Sequence, residues 1–235
     1  MSGLPHQHLP VLGLDTETTG VDVKKDRIVT AAIVHRAADG TITERTWLLQ
    51  PDIDIPPRAT AIHGISTEYA RQHGQERTAG LDEIASALTA DAAPTLLAFN
   101  APFDLGILAA ELRRVSLPGL AERLGRPVGP VLDPLVIDRA IWPRRRGKRT
   151  LVDVAEAYGA NISEDLHDAL GDIRTTIAAL DAMLASPYAQ AAGLGDMTMD
   201  ELHAWQVKSR AEWAADFNRW LRSQGRTPNA DPTWP

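Results

Sequence analysis

Acidic side chains at short spacing are the residues of this sequence best suited to chemistry. Asp15 and Glu17 lie two positions apart, directly after the apolar run at residues 11–14. If that run is a β-strand, the two carboxylates project from the same side of the sheet. Two such groups repel each other unless a positive charge lies between them. The pair is a candidate for chemistry with a cation, and a solvated strand end or a salt-bridged pair is the alternative.

Three further residues of interest lie at the beginnings of predicted helices. Asp104 comes just after a second apolar run, at a position where helices favour an acidic N-cap or first-turn residue. His167 and Asp172 lie five residues apart at the entrance to a longer helix. Five residues turn a helix by about 500°, so the two side chains would lie on different faces if both were helical. We therefore place His167 on the loop before the helix, reaching over Asp172; a surface or structural histidine is the alternative.

The composition limits which metals and which classes of protein are possible. The 235 residues include no cysteine, which excludes disulfides, thiolate nucleophiles and cysteine-based zinc sites. The 31 acidic and 24 basic side chains give a net charge of −7, which argues against a protein that coats nucleic acid non-specifically. No run reaches the roughly 20 apolar residues of a membrane span, and residues 1–14 contain no Lys or Arg of a secretory signal. We expect a cytoplasmic protein.

Strands and helices alternate along the chain in a way that predicts the fold. Three segments rich in β-branched residues are predicted to form an antiparallel meander, at residues 11–17, 27–35 and 41–50. Two short apolar segments are predicted to be buried central strands, at 95–99 and 131–134. Helical spacing predicts helices around 81–88 and at 103–115, 151–158 and 168–184. We therefore predict an α/β fold, with a mixed β-sheet flanked by helices on its faces.

The C-terminal part of the chain has its own pattern. A helix predicted over about residues 199–223 carries several tryptophans near one face, and a proline-rich tail follows at 228–235. We divide the chain into a domain at residues 1–185 and a C-terminal extension, residues 186–235. The helix of the extension is expected to pack on the domain or on a second copy of the chain, and binding of a partner protein is the alternative.

Three motifs in order along the chain resemble those of the DEDDh 3'-5' exonucleases, which have a ribonuclease H-like fold. Within that family the likeness is to the proofreading epsilon subunit of bacterial DNA polymerase III and its stand-alone relatives. The motifs are Asp15-Thr16-Glu17-Thr18-Thr19-Gly20, Asn100-x-x-Phe103-Asp104 and His167-Asp168-Ala169-Leu170-Gly171-Asp172. The segment Ile62-His63-Gly64-Ile65 adds a fourth point of likeness. The resemblance spans about residues 9–185, and three ordered motifs are far more specific than any one of them.

The resemblance implies an enzyme that hydrolyses phosphodiester bonds at the 3' end of DNA and releases nucleoside monophosphates. Its ligands for two divalent ions, Mg²⁺ or Mn²⁺, would be Asp15, Glu17, Asp104 and Asp172, with Asp15 bridging both ions. His167 would be the general base that takes a proton from the attacking water, a task that suits a neutral imidazole near pH 7. Carboxylate oxygens are ligands that hard cations prefer, in agreement with this assignment.

The resemblance also implies substrate contacts around the site. Thr18 and Phe103 match family positions that contact the terminal nucleotide, and His63 is assigned to the same nucleotide or its neighbour; core packing is the alternative for Phe103. Five basic residues before the 151–158 helix are candidates for binding the phosphates upstream of the scissile bond, with a solvated loop as the alternative: Arg144, Arg145, Arg146, Lys148 and Arg149.

Substrate and partner stay open at the level of sequence. An oligoribonuclease-like or RNase T-like exoribonuclease would use the same residues, and we can place no side chain that reads the 2'-hydroxyl. A catalytically silent nucleic-acid-binding module is a further alternative, against which stands the complete set of five catalytic positions. The protein could act alone, as a homodimer or with a DNA polymerase, in DNA replication or in DNA repair.

Overall fold

The computed structural model describes residues 9–90, 95–164 and 168–234. Within these ranges five strands form one sheet: β1 Val11–Thr18, β2 Ile28–Arg36, β3 Ile42–Leu48, β4 Leu96–Leu97 and β5 Val131–Leu132. Three helices lie between β3 and β4: α1 Pro57–His63, α2 Thr67–His73 and α3 Arg77–Thr89. The remaining helices are α4 Ala101–Arg114, α5 Leu120–Leu124, α6 Pro134–Ile141, α7 Leu151–Tyr158, α8 Ala169–Leu184, α9 Pro187–Ala191 and α10 Met199–Ser223.

The strand order of the sheet is β3-β2-β1-β4-β5. β2 pairs antiparallel with both β1 and β3, whereas β4 runs parallel to both β1 and β5. The carboxyl ends of β1, β4 and β5 therefore lie at the same edge of the sheet. Asp15 and Glu17 lie in the carboxyl-terminal half of β1, and Asp104 lies in α4, which follows β4, so the topology brings these residues to one edge of the sheet.

β1 separates two hydrophobic cores, because alternate residues of a strand point to opposite faces. Leu12 and Leu14 belong to the core that contains α3 and α4. Val11 belongs to the core on the other face, together with Ile173 of α8. Gly13 lies on the same face as Val11, and a β-carbon at this position would lie 2.5 Å from Ile173 Cγ1. α8 therefore crosses β1 at a distance that glycine permits and a larger residue would not.

The predicted α/β fold is confirmed, with an antiparallel meander in a mixed sheet and helices on both faces. The prediction for residues 131–134 is wrong in two respects. β5 ends at Leu132, because Asp133 is the N-cap residue of α6 and Pro134 begins that helix. β5 is also an edge strand rather than a central one. Five helices were not predicted: α1, α2, α5, α6 and α9.

The segment predicted as a C-terminal extension packs beside β5 and α6 through α10. Leu202 of α10 is fully buried in the core that contains α8. Trp234 is 8% exposed and joins the core that contains α3 and α4. Residues of the extension thus complete both cores. None of the helices in the described ranges combines the length and the apolar character that a membrane span requires.

Candidate active site

Three carboxylates converge at the carboxyl end of β1. Asp15, Glu17 and Asp172 each offer an oxygen, and these oxygens all lie within 4.8 Å of one another. Asp15 and Glu17 lie on the β1 face that packs on α8, since they continue the alternation that includes Gly13. Asp172 lies in the first turn of α8. The close approach of α8 at Gly13 therefore brings the carboxylate of one element to those of the other.

A fourth carboxylate reaches the same end of β1 from the opposite face. Asp104 lies in the first turn of α4 and is 3% exposed. The hydroxyl of Thr16 donates a 2.7 Å hydrogen bond to Asp104 Oδ1. Thr16 lies between Asp15 and Glu17 in the strand, so its side chain points away from theirs. Asp15 and Glu17 thus lie near Asp172 of α8, and Thr16 binds Asp104 of α4. β1 therefore links the acidic residues of the two helices.

Burial and neighbouring negative charges raise the pKa values of carboxylates in this cluster. Burial raises the pKa of Asp15 well above its usual range, and the charges of Asp104, Asp172 and Glu17 raise it further. Burial and the charges of Asp172 and Asp104 raise the pKa of Glu17 to about 7. Burial also raises the pKa of Asp104 to about 7, although the hydrogen bond from Thr16 acts in the opposite direction. At neutral pH the cluster cannot hold all of its negative charges without a cation.

This donor set fits a hard divalent cation. Carboxylate oxygens are the ligands that Mg²⁺ and Mn²⁺ prefer in proteins. Three of them are close enough to contact one ion, and Asp104 joins the cluster through Thr16 and through its charge. The raised pKa values show that positive charge is what the cluster lacks. The end of β1 is therefore a candidate metal centre.

The predicted nucleotide contacts on β1 and α4 lie beside these carboxylates in the chain. The Thr18 hydroxyl donates a 2.7 Å hydrogen bond to the Gly20 carbonyl oxygen, which stabilises the turn after β1. Phe103 is half-buried and packs against the core that contains α3 and α4. The ring therefore supports the core and is partly exposed.

His63 ends α1, and its ring is oriented by the backbone. The Ile65 N–H donates a 3.2 Å hydrogen bond to His63 Nδ1, which assigns the ring proton to Nε2. Among the described residues, Nε2 is buried and has no hydrogen-bond partner. Burial lowers the pKa of His63, so the ring is neutral at pH 7. Its Nε2–H is a hydrogen-bond donor that no described residue accepts.

His167, the predicted general base, lies outside the described residues, which stop at Glu164 and resume at Asp168. Asp168 is the N-cap residue of α8, and its charge contributes to the raised pKa values of Asp15 and Glu17. The residue that follows His167 in the chain is thus close enough to act on the carboxylate cluster.

The basic loop before α7 contains two kinds of cation. Arg145 and Arg149 form ion pairs with the fully buried Asp138, with 3.1 Å between Arg145 Nε and Asp138 Oδ1. The Tyr158 hydroxyl donates a further hydrogen bond to Asp138. Three cations of the loop have exposed side chains instead: Arg144, Arg146 and Lys148. Arg145 and Arg149 therefore hold the loop in place, and the other three face solvent.

Sequence reasoning missed three residues that hold other parts of the site in position. Thr16 binds Asp104 directly. Its position between two acidic residues of one strand could have identified it as part of the site. Asp138 holds the basic loop, and its signal was a lone acid in an apolar segment. Asp133 is buried at the end of β5 and accepts hydrogen bonds from the backbone where α4 begins. An Asp followed by Pro after an apolar run is typical of a helix N-cap and could have identified it.

The sheet order and the flanking helices define a ribonuclease H-like α/β fold, with an acidic cluster at the end of β1 that could hold a metal ion. The family model RNase T, described as Exonuclease, matches residues 12–180. The chain belongs to this exonuclease family, and the likeness to the epsilon subunit seen in the motifs is confirmed. The protein is an exonuclease.

Known relatives and solved structures agree with this family. "DNA polymerase III subunit epsilon" of Treponema pallidum is 28% identical over 182 residues, which covers 77% of this chain and 79% of that protein. The protein of the same name from Rickettsia felis is 30% identical over 183 residues, which covers 77% of this chain and 72% of that protein. The structure of E. coli exonuclease I in complex with a dT13 oligonucleotide has a TM-score of 0.64 at 21% identity. That match covers 78% of this chain and 42% of exonuclease I, and it shows the shared fold.

Proposed function

We propose that this protein is a metal-dependent 3'-5' exonuclease that shortens single-stranded DNA and releases nucleoside monophosphates. The observation that carries the proposal is the convergence of Asp15, Glu17 and Asp172 within 4.8 Å, next to the buried Asp104. Binding of DNA is supported by the relatives, which are named as DNA polymerase subunits, and by the shared fold with an exonuclease solved on a DNA oligonucleotide. The names of the relatives also support a DNA polymerase as partner and a role in replication or repair.

Asp15, Glu17, Asp104 and Asp172 are proposed to hold two divalent ions, Mg²⁺ or Mn²⁺, with Asp15 as a shared ligand. When bound, such ions supply Lewis-acid activation of water and stabilise the negative charge that develops at the scissile phosphate. The protein contributes a rigid arrangement of oxygens, because Asp15 and Glu17 are fixed in a strand and Asp104 and Asp172 in first turns of helices. The reaction breaks the bond between phosphorus and the 3' oxygen, and the attacking water supplies the new bond to phosphorus.

His167 is proposed as the general base that takes a proton from the attacking water. Support comes from its neighbour Asp168, whose charge acts on Asp15 and Glu17. We expect His167→Ala to lower turnover by about 10²–10⁴-fold while divalent-ion affinity is kept. His73→Ala is the matched control, since His73 is exposed at the end of α2. Wild-type turnover in His167→Ala would contradict the assignment.

The terminal nucleotide is proposed to bind at the carboxylate cluster. The exposed part of Phe103 offers a surface for stacking of a base. Thr18 lies beside Glu17, and His63 Nε2 is a buried donor without a partner among the described residues. Arg144, Arg146 and Lys148 are proposed to attract the phosphates further along the strand. Arg145 and Arg149 hold that loop through Asp138.

The test is an incubation of the full chain with single-stranded DNA labelled at its 5' end, with Mg²⁺, Mn²⁺ or EDTA. We expect a ladder of progressively shorter labelled products with either ion and none with EDTA. Immediate release of labelled mononucleotide would show the opposite polarity. Asp15→Asn, which keeps the shape of the side chain, is the inactive control. Faster shortening of RNA of the same sequence would replace the DNA assignment with an exoribonuclease, and hydrolysis of neither polymer would overturn the proposal.

A further inference from the structure

Asp133 is a buried carboxylate that the proposed reaction does not use. It is 1% exposed and lies between the end of β5 and the beginning of α6. Its Oδ1 accepts hydrogen bonds from the N–H groups of Asn100 at 3.0 Å and Leu135 at 2.9 Å. Its Oδ2 accepts one from the N–H group of Ala101 at 3.0 Å. One side chain therefore caps its own helix and also binds the backbone at the beginning of α4.

The segment that Asp133 binds has an unusual backbone. Asn100 has a φ of 63°, in the left-handed region that residues other than glycine rarely adopt. This conformation turns the chain from β4 directly into α4. Asp104 lies in the first turn of that helix, four positions after Asn100. The two hydrogen bonds to Asp133 thus fix the direction in which α4 begins, and with it the position of the Asp104 carboxylate.

The C-terminal extension in turn holds Asp133. The Asp133 N–H donates a 2.8 Å hydrogen bond to Gln206 Oε1, and Gln206 Nε2 donates one of 3.0 Å to the Val131 carbonyl oxygen. Gln206 is fully buried in α10. The indole Nε1 of Trp234 donates to Asp133 Oδ2 at 3.3 Å. Side chains from α10 and the tail thus bind both the backbone and the carboxylate of Asp133.

We propose that Gln206 and Trp234 are positioning residues for the metal centre. They hold Asp133, Asp133 holds the beginning of α4, and α4 presents Asp104 to the carboxylates of β1 and α8. The family match ends at residue 180, so this support comes from a part of the chain outside it. The inference rests on the proposed function only in that Asp104 helps to hold a divalent ion. Its consequence is that affinity for the ion depends on hydrogen bonds made by the extension.

Two substitutions of the full chain test this proposal. Trp234→Phe keeps an aromatic ring and removes the indole donor, and Trp220→Phe is the matched control, since Trp220 is 48% exposed on α10. Asp133→Asn replaces one acceptor oxygen by an amide that cannot accept. Loss of an outer-shell partner lowers the affinity of a metal site about 10–100-fold. We therefore expect Asp133→Asn to weaken Mn²⁺ binding at least about tenfold. For Trp234→Phe, which removes one hydrogen bond, we expect about threefold.

The measurements are calorimetric Mn²⁺ affinity and, with the DNA substrate, kcat and KM separately. A positioning role predicts weaker Mn²⁺ binding and lower kcat, with KM for DNA unchanged. The double variant Asp133→Asn/Trp234→Phe should bind Mn²⁺ about as well as Asp133→Asn alone, because Trp234 acts through Asp133. If Asp133→Asn does not fold, Gln206→Met is measured as a single variant, since it removes the bonds to Asp133 and Val131 at similar volume, and weaker Mn²⁺ binding is expected.

The outcomes separate this inference from the proposed function. If Trp234→Phe binds Mn²⁺ as well as Trp220→Phe does, in a protein that degrades DNA, the positioning role is overturned and the exonuclease proposal stands. If the wild-type chain binds Mn²⁺ and the variants bind it less well, but DNA is not degraded, the positioning role stands and the exonuclease proposal is overturned. A lower melting temperature of the variants with unchanged Mn²⁺ affinity would show that the hydrogen bonds of Gln206 and Trp234 to Asp133 stabilise the fold only, and would overturn the positioning role. A wild-type chain that binds no divalent ion would overturn both.

Discussion

Gly13 of β1 and Ile173 of α8 meet so closely that a β-carbon on Gly13 would lie 2.5 Å from Ile173 Cγ1. This contact is one residue from Asp172 in the helix and two residues from Asp15 in the strand. The spacing between α8 and β1 therefore sets the spacing between the carboxylates of the candidate metal centre. Packing and metal binding depend here on the same two residues.

Gly13→Ala is expected to destabilise the protein and weaken the site together. Overpacking of a filled core costs about 1–3 kcal/mol, and a displaced α8 moves Asp172 away from Asp15. The measurements are the free energy of unfolding in urea and the affinity for Mg²⁺. Gly119→Ala is the matched control, because no atom lies within 4 Å of a β-carbon there. Equal stability and equal Mg²⁺ affinity in the two variants would show that α8 can shift without effect.

Thr16→Val is expected to make Mg²⁺ binding more dependent on pH. The lost hydroxyl no longer lowers the pKa of Asp104, so more of Asp104 is protonated at pH 7 and competes with the ion. Hydrogen bonds to charged groups contribute about 1.5–3 kcal/mol, which corresponds to an affinity loss of about tenfold or more at pH 7. Titration calorimetry at pH 7 and pH 9 checks this, with Thr16→Ser as the control that keeps the hydroxyl. A loss of the same size at both pH values would contradict it.

Without a divalent ion, stability is expected to fall as pH rises. Glu17 and Asp104 have pKa values of about 7 in the folded protein, against about 4 in an unfolded chain. The unfolded chain thus binds fewer protons between about pH 4 and pH 7, and the free energy of unfolding decreases across that range. Melting temperatures in EDTA from pH 5 to pH 8 measure this. Asp15→Asn should melt above wild type at pH 8 and lose that advantage toward pH 5.

Added Mg²⁺ should raise the wild-type melting temperature more at pH 8 than at pH 5, because the ion competes with protons for the same oxygens. A melting temperature in EDTA that rises with pH, or that Asp15→Asn leaves unchanged at pH 8, would show that these carboxylates do not repel one another as the structure indicates.

The exposed cations of the basic loop are expected to set the salt dependence of DNA binding. Each cation that contacts a phosphate of single-stranded DNA contributes about 0.7 to the slope of log affinity against log salt. Changing Arg144, Arg146 and Lys148 to Gln should therefore reduce the slope by about 2. Fluorescence anisotropy measures it in an Asp15→Asn background, which prevents degradation. An unchanged slope would mean that these three residues face solvent and do not contact DNA.

Arg145→Gln gives the contrast within the same loop. It leaves the fully buried Asp138 with one arginine, Arg149, and the Tyr158 hydroxyl. Breaking a buried ion pair by removing one partner costs about 3–5 kcal/mol, and the remaining arginine reduces that cost. We expect lower stability in urea for Arg145→Gln than for any of the three exposed positions. Equal stabilities would show that Asp138 needs only one arginine.

The sequence was sufficient for the longer elements with a clear local pattern. β1, β2 and β3 are segments of seven to nine residues rich in apolar or β-branched side chains, and α8 has an apolar stripe at helical spacing. α6 was missed because it is only eight residues long and its apolar beginning continues the segment that was predicted to be a strand. β5 was read as central because its two residues are apolar. They are buried by α10, which is more than sixty residues away in the chain.

The acidic residues of the site were accessible from sequence because their spacing follows from strand and helix geometry. Their supporting contacts were not, because these join distant segments. Thr16 and Asp104 are separated by 88 positions, and Asp133 and Gln206 by 73. The distinction between Arg145 and Arg146 also required the fold, since only the structure shows which cation faces Asp138.

The edge of β5 is completed by a helix that is synthesised about seventy residues after it. The Val131 N–H donates to His203 Nδ1, and the Asp133 N–H to Gln206 Oε1, so side chains of a helix occupy backbone groups to which another strand would otherwise bind. A nascent chain that has not yet released residue 206 has an open sheet edge there. The order of synthesis thus leaves β5 exposed to pairing with other chains until α10 emerges and docks.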